Sequence, residues 1–349
     1  MTTDFVRSLP DSDSQKPAHS FWQVLHLDPI LLFLLFVTLS FGFVVLYSAS
    51  DGQTFYVKRQ LIMASAGFAG MLIVAQIPLP VIQRWVWLPY LGGLGMLVAV
   101  IFFGSRVNGA QRWLDLGFFS FQPSEVLKLA LPLFVAAYLA RRELPPRFNH
   151  VFITLVIIIL PAGLIVVQPD LGTSLLVAGS GFAVLFLSGL RKRYIFSAFI
   201  LMLISAPLVW LFGLHDYQRE RIITMFNPEA DRLGAGWNII QSVTAIGSGG
   251  WEGKGWLAGT QSHLDFLPES HTDFIIAVLA EEFGFRGVCI LLLLYLLIIS
   301  RGLWISYRAK TPFSRLSSAA LVVTFFVYVA VNMATVSYTH LTLPTIYSV

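Results

Sequence analysis

Residues 30–48 read ILLFLLFVTLSFGFVVLYS, an uncharged apolar run long enough to cross the hydrocarbon core of a bilayer as a helix. The whole chain of 349 residues has the same character, with 56% hydrophobic and only 12% charged residues and a mean hydropathy of +0.74. A soluble domain of this length could not cover so much apolar surface in one core. The composition therefore predicts an integral membrane protein.

Eight further apolar runs follow the first, so the sequence predicts nine membrane spans. They cover residues 61–77, 86–104, 126–140, 151–167, 171–190, 195–213, 274–300 and 316–335. Because backbone groups in lipid must be satisfied within the segment, we expect each run to be helical. The predicted fold is an all-α, polytopic transmembrane bundle over residues 30–337, after a polar cytoplasmic tail at residues 1–29.

The basic residues predict the orientation. Alternating spans bring three basic clusters to one side, at residues 141–147, 191–193 and 301–315. The positive-inside rule places that side, and the N-terminus, in the cytoplasm. The formal charge of +4 then reflects topology and gives no reason to expect nucleic acid. The single cysteine, Cys289, lies inside an apolar run, which excludes disulfides and favours a packing role.

The loop at residues 214–273, between spans seven and eight, is then expected to face outward. It carries eight acidic and four basic residues and is much longer than an ordinary connection. Residues 219–226 mix arginines with apolar side chains and suit a short helix lying in the membrane interface. Residues 246–256 are rich in glycine and tryptophan, and they resemble a phosphate-cradling loop only loosely.

A cluster of histidines and carboxylates closes this loop. It consists of His263, Asp265, Glu269, His271 and Asp273. The cluster could bind a metal, act as a base or do neither, and its spacing matches no standard zinc pattern. Asp273 also suits the N-cap of the following helix, a role that is compatible with accepting a proton.

Ionisable residues inside the spans form two predicted pairs. Glu125 and Lys128 are spaced i, i+3, and Glu282 and Arg286 are spaced i, i+4, so each pair can meet on one helix face. We interpret the second pair as self-neutralising. Lys128 lies near the outer surface, where it could receive an anionic headgroup together with residues of the preceding loop.

Four motifs resemble those of the SEDS (shape, elongation, division, sporulation) family. They are NGAQRWLDLG at residues 108–117, QPSE at 122–125, QPDLGTS at 168–174 and LPESHTDF at 267–274. Residues 215–219, 246–250 and 253–262 resemble the RodA (rod shape-determining) type more than the FtsW type. The resemblance implies about ten spans and a peptidoglycan glycosyltransferase. Such an enzyme polymerises lipid II at the outer face of the bacterial inner membrane during cell elongation.

The resemblance also implies site residues and partners. Asp273 would be the catalytic carboxylate, a choice over Asp265 and Glu269 that rests on the resemblance alone. The functional cavity would contain Arg112, Trp113, Glu125 and Lys128. The expected partners are a class B penicillin-binding protein, which crosslinks the strand, and other membrane proteins of the elongation complex. Two other functions stay open: a flippase for lipid-linked precursors, and a non-catalytic scaffold for the penicillin-binding protein.

The chemistry of such a transfer agrees with these residues. The acceptor hydroxyl needs a positioned base, whereas the lipid diphosphate leaves as a stable anion and needs no second acid. An acidic loop repels a diphosphate. We therefore expect a divalent cation, Mg²⁺ or Mn²⁺ with ligands unknown, together with Lys128, Arg112 or Arg219.

The end of the chain departs from the family pattern. Residues 338–349 read YTHLTLPTIYSV, where the family would continue through a proline- and glycine-rich outer loop and a last span. The resemblance thus predicts a truncated chain with a non-native end, which would lack one span and could be inactive for that reason.

Overall fold

The structure is a computed structural model, which describes residues 22, 25–107, 110–115, 120–168, 170–213, 219, 223, 235–263, 271–272 and 274–337. Most of the N-terminal tail and residues 338–349 lie outside this set, so the domain boundaries predicted there stay predictions. Each of the nine predicted spans coincides with a helix. Among the described residues, eight helices are long and apolar enough to cross a membrane, and the helix Leu171–Leu187 is shorter but also apolar.

The helices are α1 (Pro29–Ala49), α2 (Thr54–Ala75), α3 (Leu79–Trp85), α4 (Trp87–Phe103), α5 (Pro123–Ala140), α6 (Phe148–Val167), α7 (Leu171–Leu187), α8 (Lys192–Leu208), α9 (Ala235–Gly249), α10 (Thr260–His263), α11 (Ile275–Arg308) and α12 (Pro312–Ser337). A π-helical turn, Val209–Gly213, continues α8. The all-α expectation omits one feature, a small antiparallel sheet of three strands: β1 (Ser105–Val107), β2 (Ala110–Asp115) and β3 (Ser120–Phe121). Helix α9 lies within the predicted 214–273 loop, and it packs against α11 and α12.

Caps and prolines explain where several helices begin. The Asp28 carboxylate accepts a hydrogen bond from the backbone N–H of Leu31 at 2.8 Å, and Pro29 occupies the first turn of α1. Helix α5 begins at Pro123, so the QPSE motif completes a span whose apolar run is short by itself. Helix α11 begins at Ile275 with Phe274 at the N-cap position. Asp273, for which the sequence predicts an N-cap role, lies outside the described residues.

Helix α5 is the centre of the bundle. Its Leu127, Leu131 and Val135 are completely buried among side chains of α4, α6, α7 and α12. By contrast, α2 and α8 lie at the periphery, and neither has a buried residue among those described. Lipid tails are as apolar as leucine, so the hydrophobic effect does not decide which helix is central. The central position of α5 reflects close packing and polar contacts between helices.

Polar contacts tie the helices together at both ends of the bundle. At one end, Arg301 near the end of α11 donates two hydrogen bonds to the Asp28 carboxylate, at 3.0 and 2.6 Å. These hydrogen bonds hold the pKa of Asp28 below its usual range. At the other end, the Ser48 hydroxyl of α1 donates to Glu282 of α11. The end of the bundle that contains Ser48 is called here the outer end. The sheet, which follows α4, and the loop between α9 and α10 lie at this end.

Candidate active site

The three-stranded sheet positions Arg112 at the outer end. Strand β2 pairs with β1, where Ser105 lies opposite Trp113, and with β3. The Gln111 amide donates to the Gly104 carbonyl at 2.8 Å, which ties β2 to the end of α4. The sequence contained a signal for this hairpin, because Asn-Gly is a preferred pair in two-residue hairpin turns. That pair, residues 108–109, lies outside the described residues.

Arg112 reaches from the sheet to the start of α7. Its Nε lies 3.4 Å from the Asp170 carboxylate, and the two side chains are 28% and 10% exposed. Asp170 also caps α7, because its carboxylate accepts from the backbone N–H of Thr173 at 3.1 Å and from the Thr173 hydroxyl at 2.9 Å. Asp170 was quoted in a motif but given no role by the sequence. The structure shows that Asp170 links the sheet to the start of α7.

Lys128 forms the second ion pair of this region. Its ammonium lies 2.6 Å from the Glu125 carboxylate on the same helix, which confirms the predicted i, i+3 pair. Lys128 is 14% exposed, whereas Glu125 is 55% exposed, so the cation lies deeper than its partner. The ammonium also lies over the ring of Tyr328 on α12, 4.8 Å from its centroid. Sequence reasoning missed Tyr328, because a tyrosine in an apolar span carries no signal by itself.

These residues form what is called here the outer-end cluster: Arg112, Glu125, Lys128, Asp170 and Tyr328. Tyr328 lies on α12, which packs against both α5, with Lys128 and Glu125, and α7, with Asp170 at its N-cap. The cluster contains two cations and two carboxylates and is formally neutral. Partly buried cations suit an anionic ligand. Because Arg112 is paired with Asp170 and Lys128 with Glu125, however, the cluster has no excess positive charge.

The glycine-rich segment predicted at residues 246–256 is a structural support rather than a phosphate loop. It packs against a break in α11 at Gly284, where φ is 64° and ψ is −165°. The backbone N–H groups of Lys254 and Gly255 each donate to α11 carbonyls at 3.0 Å, and Phe285 N–H donates back to Gly250 at 3.0 Å. A Cβ on Gly253 would overlap the Glu282 carbonyl, so glycine is required for this close approach.

Glu281, just before the break, anchors the same segment. Its side chain is completely buried, and its Oε1 accepts from Lys254 Nζ at 2.7 Å. The same oxygen accepts from the backbone N–H groups of Thr260 at 2.7 Å and Gln261 at 2.9 Å, at the start of α10. A buried carboxylate is stable only with such compensation.

The neighbouring acid, Glu282, does not form the predicted pair with Arg286. Glu282 accepts from Ser48, and Arg286 lies 2.9 Å from Glu252 in the glycine-rich segment. The i, i+4 rule assumes a continuous helix, and the break at Gly284 lies between the two residues. This prediction is therefore wrong for a physical reason.

The remaining predicted site residues are only partly described. Asp273 lies outside the described residues, as do residues 264–270, and His271 packs its ring against Tyr56 with centroids 4.5 Å apart. Arg219 donates a hydrogen bond to the Leu211 carbonyl, in the π-helical turn that continues α8, at 2.9 Å. The predicted interfacial helix at residues 219–226 is described only at Arg219 and Ile223. Within the described residues no group of three or more His, Cys, Asp or Glu side chains could hold a metal.

The fold and the outer-end cluster define a multi-pass membrane protein with ionised groups buried between its helices. Comparison with known proteins gives the family. The family model for cell cycle proteins of the FtsW, RodA and SpoVE type matches residues 27–345. The chain belongs to this family, which is the SEDS family indicated by its motifs.

Individual relatives agree with this assignment. The chain is 50% identical over 318 residues to the peptidoglycan glycosyltransferase MrdB of Escherichia coli K12, covering 91% of this chain and 86% of that protein. It is 35% identical to the probable peptidoglycan glycosyltransferase FtsW of Trichlorobacter lovleyi, covering 89% and 84%.

Two solved structures share the fold. One belongs to work on the structural coordination of polymerization and crosslinking by a peptidoglycan synthase complex. Its chain has a TM-score of 0.77 and 30% identity, with 91% of this chain and 90% of that one covered. The other is the rod shape-determining protein RodA of Thermus thermophilus, with a TM-score of 0.64 and 28% identity, covering 88% and 84%.

The close contact between α9 and α11 predicts opposite effects for two glycines of α9. A Cβ on Gly249 would overlap the Ala280 carbonyl, whereas one on Gly247 would meet nothing within 4 Å. We expect Gly249→Ala to lower the free energy of unfolding by about 1–3 kcal/mol or more, as overpacking does. Gly247→Ala should be neutral or slightly stabilising, because alanine favours helix. Thermal unfolding in detergent measures both.

The two variants add the same methyl group two residues apart, so each controls for the other. Equal thermal midpoints for the two would contradict the described contact between α9 and α11.

Proposed function

We propose that the chain is a peptidoglycan glycosyltransferase that polymerises lipid II at the outer face of the bacterial inner membrane during elongation, with its N-terminus in the cytoplasm. One observation carries the proposal, the 50% identity over 91% of the chain to a peptidoglycan glycosyltransferase. The arrangement of the spans supports the orientation. The basic turns at residues 141–147 and 191–193 follow α5 and α7, and both helices end on the same side of the bundle as Asp28.

Asp273 is proposed as the base of this reaction. The acceptor sugar hydroxyl attacks the anomeric carbon of the donor, the bond to the diphosphate breaks, and the hydroxyl proton passes to the carboxylate. Asp273 directly precedes Phe274, the N-cap residue of α11. Glu281 lies in the second turn of α11, where its contacts fix the segment at the start of α10. The chain is therefore anchored on both sides of residues 264–273.

Cations are needed on the leaving diphosphate. Lys128 and Arg112 of the outer-end cluster are the proposed ligands, with Arg219 as a further candidate. Because Glu125 and Asp170 already neutralise the cluster, we propose that a divalent cation, Mg²⁺ or Mn²⁺, adds positive charge. This ion would be held chiefly by the substrate phosphates, as Mg²⁺ often is.

A class B penicillin-binding protein is the proposed partner, within a larger elongation complex of membrane proteins. This rests on the similarity to a chain from a peptidoglycan synthase complex that couples polymerization to crosslinking. The peripheral helices α2 and α8 leave much apolar surface at the edge of the bundle, which a membrane partner could cover.

The activity is tested with purified full-length chain and labelled lipid II, by separating glycan strands on a gel. We expect Mg²⁺-dependent polymer from the parent protein and a loss of about 10²–10⁴-fold with Asp273→Ala, which is the usual cost of removing a general base. EDTA should stop the reaction, and Mg²⁺ or Mn²⁺ should restore it.

Glu252→Gln, which changes an exposed carboxylate of the same loop, is the control and should keep its activity. Polymer formation by Asp273→Ala would contradict the proposed base. A protein that makes no strands but moves lipid II across vesicles would be a flippase. A protein that makes no glycan strands, and whose Asp273→Ala variant restores rod shape to depleted cells, would be a scaffold.

The role of the outer-end cluster is tested by Lys128→Met. Removing a buried cation that binds the departing diphosphate should lower kcat/KM for lipid II by about 10²-fold. Lys58→Met removes an exposed cation at the same end and is the matched control, for which we expect less than about a twofold change. Equal activities of the two variants in the polymerisation assay would exclude Lys128 from the site.

A further inference from the structure

A cavity opens at the end of the bundle opposite the outer-end cluster. It has a volume of about 990 Å³ and lies between α2, α3, α5, α11 and α12. This volume is at the upper end of the range of about 300–1,000 Å³ that is typical for ligand pockets. Leu79 and Trp304 line it and are 48% and 41% exposed, so the cavity is open at the protein surface.

The walls of this cavity are almost entirely apolar. Aliphatic side chains of all five helices line it, among them Val74, Leu133 and Leu321. The hydroxyls of Thr311 and Ser314 at its rim bond each other at 2.7 Å. Such a lining suits hydrocarbon chains rather than a water-soluble ligand.

Positive charge is concentrated at the mouth. Arg308 and Lys310 both line the cavity and are exposed, and no acidic side chain lies among the described lining residues. Arg308 packs its guanidinium over the Trp304 ring at 4.1 Å. Neither cation has an ion-pair partner in the described part of the chain, whereas Arg301, one turn before Trp304, is neutralised by Asp28 at 2.6 Å.

From these three observations we infer that the cavity binds an anionic phospholipid. The acyl chains occupy the apolar groove, and Arg308 and Lys310 hold the headgroup phosphate. Trp304 lies between the two environments, at the depth where tryptophan is enriched in membrane proteins. Basic pockets between transmembrane helices are a recurrent form of anionic lipid recognition. A zwitterionic lipid has the same chains but no net charge, so the cations confer the selectivity.

The experiment uses the full chain in detergent, titrated with dioleoyl-phosphatidylglycerol or dioleoyl-phosphatidylcholine, and counts retained lipids by native mass spectrometry. The parent protein should retain phosphatidylglycerol saturably and in preference to phosphatidylcholine. Arg308→Gln combined with Lys310→Gln should weaken that retention about tenfold or more, since each basic group near an anionic lipid contributes about 1 kcal/mol. Inorganic phosphate should not compete.

Two further variants make the result specific. Arg191→Gln combined with Lys192→Gln removes two exposed cations from the same end but outside the cavity, and it should retain the lipid normally. Leu79→Trp fills the groove without changing any charge, and it should also weaken retention.

Three outcomes would overturn the proposal. These are equal loss in the Arg191/Lys192 control, no preference for phosphatidylglycerol, or unchanged retention in Leu79→Trp. The cavity would instead be a protein interface if it binds the transmembrane segment of a class B penicillin-binding protein and not the lipid, and if Leu79→Trp abolishes that binding. The proposal would then be wrong.

Discussion

The interaction on which the outer end depends is the buried carboxylate of Glu281. A charge without access to water is stable only when donors surround it. Here Lys254 and two backbone N–H groups at the start of α10 supply them. The same contacts hold the glycine-rich segment against the break in α11 at Gly284. One ionised group therefore fixes the segment before residues 264–273 and the helix after them.

The outer-end cluster obeys a different constraint. Its two cations are mostly shielded from solvent, where unpaired charge is costly, and each has a carboxylate beside it: Asp170 for Arg112 and Glu125 for Lys128. These pairs join the sheet to α7 and line the face of α5 toward α12. A neutral cluster of this kind needs no bound ligand to be stable.

Much of this architecture could be predicted from the sequence, because span length and helix periodicity are local properties. The nine spans follow from apolar runs, and the Glu125–Lys128 pair follows from their spacing along one helix. The Lys254–Glu281 pair could not be predicted, since it joins two segments through tertiary packing. The expected Glu282–Arg286 pair failed at Gly284, whose positive φ interrupts the helix, and glycine spacing alone does not reveal such a break.

The most direct test of the central claim is hydrogen exchange of the Thr260 and Gln261 amides in Glu281→Gln. Glu143→Gln is the control, because Glu143 is 85% exposed and pairs with Arg147 on the surface. If the Glu281 charge holds the segment, both amides should exchange about tenfold faster or more in Glu281→Gln, since a hydrogen bond to a charged group contributes about 1.5–3 kcal/mol. Unchanged protection of both amides would contradict the account.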